Sequence, residues 1–327
     1  SQRRHHTVSD GGGDLEVTAT DDTLHWAFSG AGAYAGASEG TAVAFAGSFA
    51  VNSLDVYTEA HLRDTSTPER DSLVPVNVSG DVLVTAEAAQ STVAEDAFGV
   101  WAISGSLGVS SADDKHWSTA AALNMSINLV TTETTRASIG NVGLTAAAGS
   151  ITIDAQNHRS MNADGGAFDV SLKKAKELRP EPGAAGAAGG SVAVGGSNSI
   201  NKIENLTVDA LVDNNTAITS ESLTVNAYAN PNIRAVTVSG SVSAANAEVS
   251  INGSESGSVN EINRKVMARI GDEDRQTGLR GSAGTLAVSG DVKVVAKDES
   301  TILAVSGGIA FSLDTSPKGT FTGLAGF

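Results

Sequence analysis

Apolar and polar residues alternate along most of this chain, and the alternation keeps returning to one phrase. A turn residue is followed by an aliphatic, any residue, an aliphatic, any residue, and then Ala. The phrase reads Asp14-Leu15-Glu16-Val17-Thr18-Ala19, then Asp81-Val82-Leu83-Val84-Thr85-Ala86, then Ser150-Ile151-Thr152-Ile153-Asp154-Ala155. It recurs as Ser222-Leu223-Thr224-Val225-Asn226-Ala227 and as Asp291-Val292-Lys293-Val294-Val295-Ala296. The closing alanines lie 67, 69, 72 and 69 residues apart, a spacing too even for chance. Period-two alternation marks a strand with one buried face. Three copies follow a second short strand and a turn: Val76 to Gly80, Val142 to Leu144 ahead of Gly149, and Leu286 to Gly290. Gly at such a corner permits backbone angles closed to other residues.

A second landmark sits mid-repeat, an Asn followed by a strand ending in Ala-x-aliphatic. It runs from Asn52 to Ala60-His61-Leu62, Asn128 to Ala137-Ser138-Ile139, Asn201 to Ala210-Leu211-Val212, and Asn260 to Ala268-Arg269-Ile270. Gly/Ala/Ser stretches such as 30–37 and 183–190 lie between the landmarks. Helical signal is confined to 171–179, where two turns could form before Pro180 stops them. The other repeats have short loops there, so the segment reads as an insertion.

A seventy-residue unit of short strands cannot bury its apolar face alone, so neighbours must stack. The predicted architecture is all-β: a polar, flexible leader at 1–13, then one parallel β-helix (β-solenoid) over 14–327. Its repeats are 14–80, 81–149, 150–221, 222–290 and an incomplete 291–327. At about 23 residues per three-faced coil, each repeat would hold three coils and the chain roughly 14. That predicts a rod on the order of 65 Å long at about 4.8 Å per coil. A string of Ig-like sandwiches fits less well, since each needs about 100 residues and a buried Trp. The apolar ending Leu324-Ala325-Gly326-Phe327 reads as a cut through a longer array, because stacked repeats need polar caps.

Composition narrows the function. The chain has 21 Lys+Arg against 37 Asp+Glu, a net charge of −16. That sign excludes a phosphate-backbone binder, so no nucleic acid is expected. Cys is absent, which removes disulfides, thiolate metal sites and cysteine nucleophiles. No run of 18 apolar residues exists, so no helical membrane span is expected, and no signal-peptide pattern follows Ser1. Aromatics make up only 4% of residues, while 36 Gly and 66 Ser and Thr favour thin, closely stacked layers over a thick core.

The rhythm of Val-Ala-Phe-Ala-Gly-Ser-Phe-Ala-Val-Asn (43–52), Thr-Glu-Ala-His-Leu (58–62) and Val-Ser-Gly-Asp-Val-Leu-Val-Thr-Ala (78–86) resembles repeats of giant secreted bacterial surface proteins. These are large repetitive adhesins, filamentous-haemagglutinin-like proteins and leukotoxin-like exoproteins. The resemblance covers residue 14 to the end. It implies an extracellular or cell-surface rod taking part in attachment, and it transfers no catalytic residue. Its partners would be copies of the same chain, adjacent repeats, or cell-surface glycans and proteins. The basic insertion at 173–179 departs from the small-residue linker of such repeats.

The search for chemistry leaves no catalytic, cofactor-binding or metal-ligating residue assigned. Calcium-binding nonapeptides and EF-hand loops are missing. Asp21-Asp22, Asp113-Asp114 and Asp272-Glu273-Asp274 read as solvated corners, and Asp14, Asp81 and Asp291 would lie three coils apart. His5 and His6 sit in the leader, while His25, His61, His116 and His158 are scattered singly, against the converging ligands that zinc needs. There is no Gly-x-Ser-x-Gly elbow, and the Gly183 to Gly190 run lacks the lysine of a phosphate loop. The sequons at Asn77, Asn124, Asn205, Asn214 and Asn252 match what chance gives. One alternative remains, a carbohydrate-binding or polysaccharide-cleaving β-helix. His25-Trp26, Trp101, His116-Trp117 and Tyr34 could form its aromatic platform, with Trp26 expected to be partly buried. That reading requires two or three acids within about 10 Å of each other. The cluster from Lys173 to Arg179 reads as a solvated loop, or as a dock for an acidic partner.

Overall fold

The computed structural model describes residues 7–10, 13–63, 73–88, 99–112, 116–173, 190–213, 216–245, 249–271, 284–314 and 321–326. Among the described residues there is no helix. In chain order the strands are β1 (Thr7–Asp10), which falls in the expected flexible leader, then β2 (Leu15–Asp21), β3 (His25–Ala37), β4 (Ala42–Arg63), β5 (Val74–Asn77) and β6 (Val82–Ala88). They continue as β7 (Val100–Ala112), β8 (Ser118–Gly140), β9 (Val142–Asn157), β10 (Ser160–Lys173), β11 (Gly190–Val212) and β12 (Ala217–Ala229). The last are β13 (Asn232–Ala245), β14 (Val249–Ile270), β15 (Leu286–Val288), β16 (Val292–Asp298), β17 (Thr301–Asp314) and β18 (Phe321–Gly326).

These strands sort into three sheets. The first joins β2, β6, β9, β12 and β16, with β5 beside β9 and β15 beside β12. The second runs β3-β7-β10-β13-β17 and the third β4-β8-β11-β14-β18. Every pairing is parallel except that of β1, which lies antiparallel on β2.

The expected three coils per repeat are corrected by this register. Ala19, Ala86, Ala155, Ala227 and Ala296 pair successively across the first sheet, so one repeat is one tier of the stack. Strands of 13 residues in the second sheet and 22 in the third use up the length that three narrow coils would have needed. Five tiers at about 4.8 Å make a stack roughly 24 Å deep, not 65 Å. Asp14 and Asp81 are likewise not three coils apart but on adjacent tiers. Asp14 Oδ1 accepts the backbone N–H of Asp81 at 2.9 Å, and Asp81 Oδ1 that of Ser150 at 2.7 Å. Each aspartate caps the strand start of the tier above. Ser171–Lys173, where a helical insertion was expected to begin, closes strand β10, and 174–179 lie outside the described residues.

The interior has two compartments. Val17, Val84, Ile153 and Val225 of the first sheet meet Leu54, Val130, Ile203 and Val208 of the third in an aliphatic core. The first half of each third-sheet strand instead faces the second sheet across small residues, with Ala46, Ala122 and Ala167 in contact. Serine hydroxyls bind across this thin layer: Ser110 to Ser118 at 2.8 Å, Ser171 to Ser118 at 2.9 Å, Ser191 to Ser171 at 2.8 Å, and Ser243 to both Ser191 and Ser250 at 2.7 Å.

The mid-repeat asparagines mark the border between compartments. Nδ2 of Asn52 donates to Asn128 Oδ1, Nδ2 of Asn128 to Asn201 Oδ1, and Nδ2 of Asn201 to Asn260 Oδ1, each at 2.8 Å. The second hydrogen of each amide goes to a second-sheet carbonyl one tier up: Trp101 O at 2.6 Å, Asn162 O at 2.7 Å and Arg234 O at 2.6 Å. Tight corners close the tiers. Gly40 and Gly271 have φ of 100° and 101°, and Asn141, a residue type that tolerates the left-handed region, has φ of 56°.

Candidate functional site

The second sheet is built inside out. Ala27, Ser29 and Ala31 of β3 point inward, which turns Trp26, Phe28 and Tyr34 outward. Trp26 is 59% exposed, correcting the expected partial burial; the inward phase of its strand belongs to residues too small to share space with an indole. It pairs in register with Trp101, and the rings stack at 5.7 Å and 20°, with Phe28 edge-on to Trp26. Of the predicted platform, the structure therefore unites Trp26 and Trp101. Trp117 lies at the other end of these strands, next to Ser118 and against Gly190. On the same outer face, Phe168, Val238, Gly240, Ile309 and Phe311 line an apolar groove of about 430 Å³.

Next to His25, at the corner between the first and second sheets, three charges are buried together. Arg159 donates from Nε to Glu133 Oε1 at 2.8 Å and from an Nη to Asp21 Oδ2 at 3.1 Å. Asn157 Nδ2 donates to the same Glu133 oxygen at 2.8 Å, and its Oδ1 accepts the Arg159 backbone N–H at 3.0 Å. Burial pulls the guanidinium toward neutrality, but the charges of Glu133 and Asp21 outweigh it and hold Arg159 protonated. Burial, and then the Arg159 charge, depress the pKa of His25. Asp21 is thus a buried ligand of Arg159 instead of a solvated corner. The cluster ties the first, second and third tiers, and both carboxylates are already engaged.

A second buried carboxyl, Asp169, lies between the second and third sheets. A Cβ on Gly108 would sit 2.5 Å from its Oδ1, so that glycine is what makes room for it. Burial pushes Asp169 up to about 7, with a smaller opposing pull from the Ala122 backbone N–H.

The remaining candidates stay apart. His61 lies between Ser138 Oγ at 2.7 Å and Glu59 at 3.3 Å. His158 contacts Gln156 and the ring of Tyr228, and burial lowers its pKa. His5, His6, Asp113-Asp114, Asp272-Glu273-Asp274 and 174–179 are outside the described residues. Among the described residues, no group of three His, Cys, Asp or Glu could hold a metal ion, and no helix is long and apolar enough to cross a membrane. Sequence reading missed the Arg159 cluster and Asp169. The available signal was strand phase: Glu133 and Asp169 fall on inward positions, where an acid is out of place. In comparisons with known proteins, no family model matched the chain, and neither did any curated protein or solved structure.

Proposed function

We propose that this chain is a β-solenoid segment of a large extracellular or cell-surface bacterial protein, serving as an adhesive or structural scaffold without catalysis. The observation that carries the reading is the one-repeat, one-tier register. A protein whose sheets each lengthen by one strand per repeat can set its reach by copying repeats, as a scaffold requires. The small-residue interior supports it as well, since tiers of nearly equal section stack without a bulky core. The resemblance to repetitive adhesins supplies the location and the role in attachment.

The alternative, a carbohydrate-active β-helix, draws support from the stack of exposed Trp26 on half-buried Trp101. It is weakened by the carboxylates next to His25, which are buried against Arg159 and cannot reach a sugar.

The test is surface labelling of intact cells that express the parent protein, together with adhesion of beads coated with this chain. Labelled cells and bead retention on glycan or protein surfaces are the expected result. Depolymerisation of a polysaccharide panel by the purified chain would favour the alternative, and absence of the protein from the cell exterior would overturn the scaffold reading.

A further inference from the structure

The outer face of the second sheet carries almost no charge on a chain of net −16. Across outward positions 26–34, 101–109, 162–170, 234–242 and 303–311, only Asp164 and Arg234 are charged. Five strands about 4.8 Å apart, each presenting about ten residues at 3.3 Å, give a face on the order of 800 Å². That is what one partner of a stable protein–protein complex typically buries.

The face is also complementary to itself. Turning a second copy about a two-fold axis along the β10 strand direction sets the first tier against the fifth and the second against the fourth. The in-register columns then oppose Gly32 to Ile309 and Gly105 to Val238. In each pair a glycine meets an exposed aliphatic side chain. Trp101 would face Arg234, a cation–π geometry. A lipid surface is a poorer occupant. Among the described residues no strand pairs with the outer edges of β3 and β4, and hydrocarbon would leave those backbone groups unsatisfied.

We propose that this face docks on the same face of a second copy, giving a two-fold, sheet-on-sheet dimer in which glycine columns receive the aliphatic ridge of the partner. The inference rests on the parallel-sheet register and not on cellular location, so an intracellular location would sink the scaffold reading and leave this one standing.

The experiment is sedimentation equilibrium on the purified chain over a concentration series, with a size swap as the control. A Cβ at Gly105 meets nothing closer than a backbone oxygen at 3.9 Å, and its in-register neighbours are Gly30 and Gly166, so Gly105→Trp has room on the single copy while colliding with Val238 of the second. The wild-type mass should approach twice 32.9 kDa, and Gly105→Trp should weaken association at least tenfold without lowering the melting temperature. Adding Val238→Gly to Gly105→Trp should restore the dimer. A wild-type chain that stays monomeric at tens of micromolar overturns the proposal. So does a dimer that ignores Gly105→Trp but is lost on Phe45→Glu, which would place the contact on the third sheet. Binding of uncharged phosphatidylcholine vesicles in competition with self-association would also overturn it, in favour of a lipid occupant.

Discussion

Asn128 uses both of its amide hydrogens, one along the stack and one across to Asn162 O, while its oxygen accepts from Asn52. Such a fully satisfied, fully buried amide is hard to replace, because truncation strands three partners at once. Asn128→Ala should destabilise the chain by roughly 2–4 kcal/mol in denaturant unfolding, whereas a change at the exposed Asn205 should cost little. Asp169 gives a pH prediction. Its folded pKa of about 7 lies above the unfolded value, so the folded chain holds a proton that the unfolded chain releases. The stability it confers is present below about pH 4 and is lost as pH rises through about 7. His25 and His158, with lowered pKa values, act in the opposite direction, so the useful quantity is a difference. The gain of Asp169→Asn over wild type should grow by roughly 1–3 kcal/mol between pH 5 and pH 8, read from parallel melts. The asparagines were legible in the sequence because they repeat. Asp169 was not, because it occurs in one tier only: its neighbours in register are Gly108 and Ser241.

At the scale of the element, strand length decided the architecture. The alternation revealed strands and their buried phase correctly, yet period two contains no information on where a strand should stop. β3 and β4 run on for 13 and 22 residues through the Gly/Ala/Ser stretches that lie between the landmarks. The overlooked clue was chemical identity at one phase: four asparagines on inward positions of successive repeats are the mark of strands that pair directly. Corners are where the elements are braced. Arg159 precedes β10, Glu133 lies on β8 and Asp21 ends β2. Arg159→Ala would leave two carboxylates buried without a counter-charge, and it should cost about 3–5 kcal/mol in denaturant unfolding. Arg159→Lys should recover only part of this, since a single ammonium cannot reproduce the fork that reaches both acids.

At the scale of the molecule, tiers are interchangeable in a way that parts of a globular core are not. Excising 81–149 would bring Ala19 against Ala155 and Asn52 against Asn201, with every ladder in phase apart from the one-residue bulge that β4 already makes at Leu54/Asp55. The shortened chain should keep its β circular dichroism and scatter as a stack about 5 Å shallower. Excising 81–115 leaves the sheets with unequal tiers and should abolish cooperative melting. The asparagine ladder adds a further consequence. Its amides all point the same way, so the stack has a sense of direction, like a thread cut with one hand. Two stacks brought together head to tail could continue the series amide to carbonyl. Brought together head to head, they would present acceptor to acceptor. An array lengthened by copying tiers therefore inherits its direction from the first tier laid down.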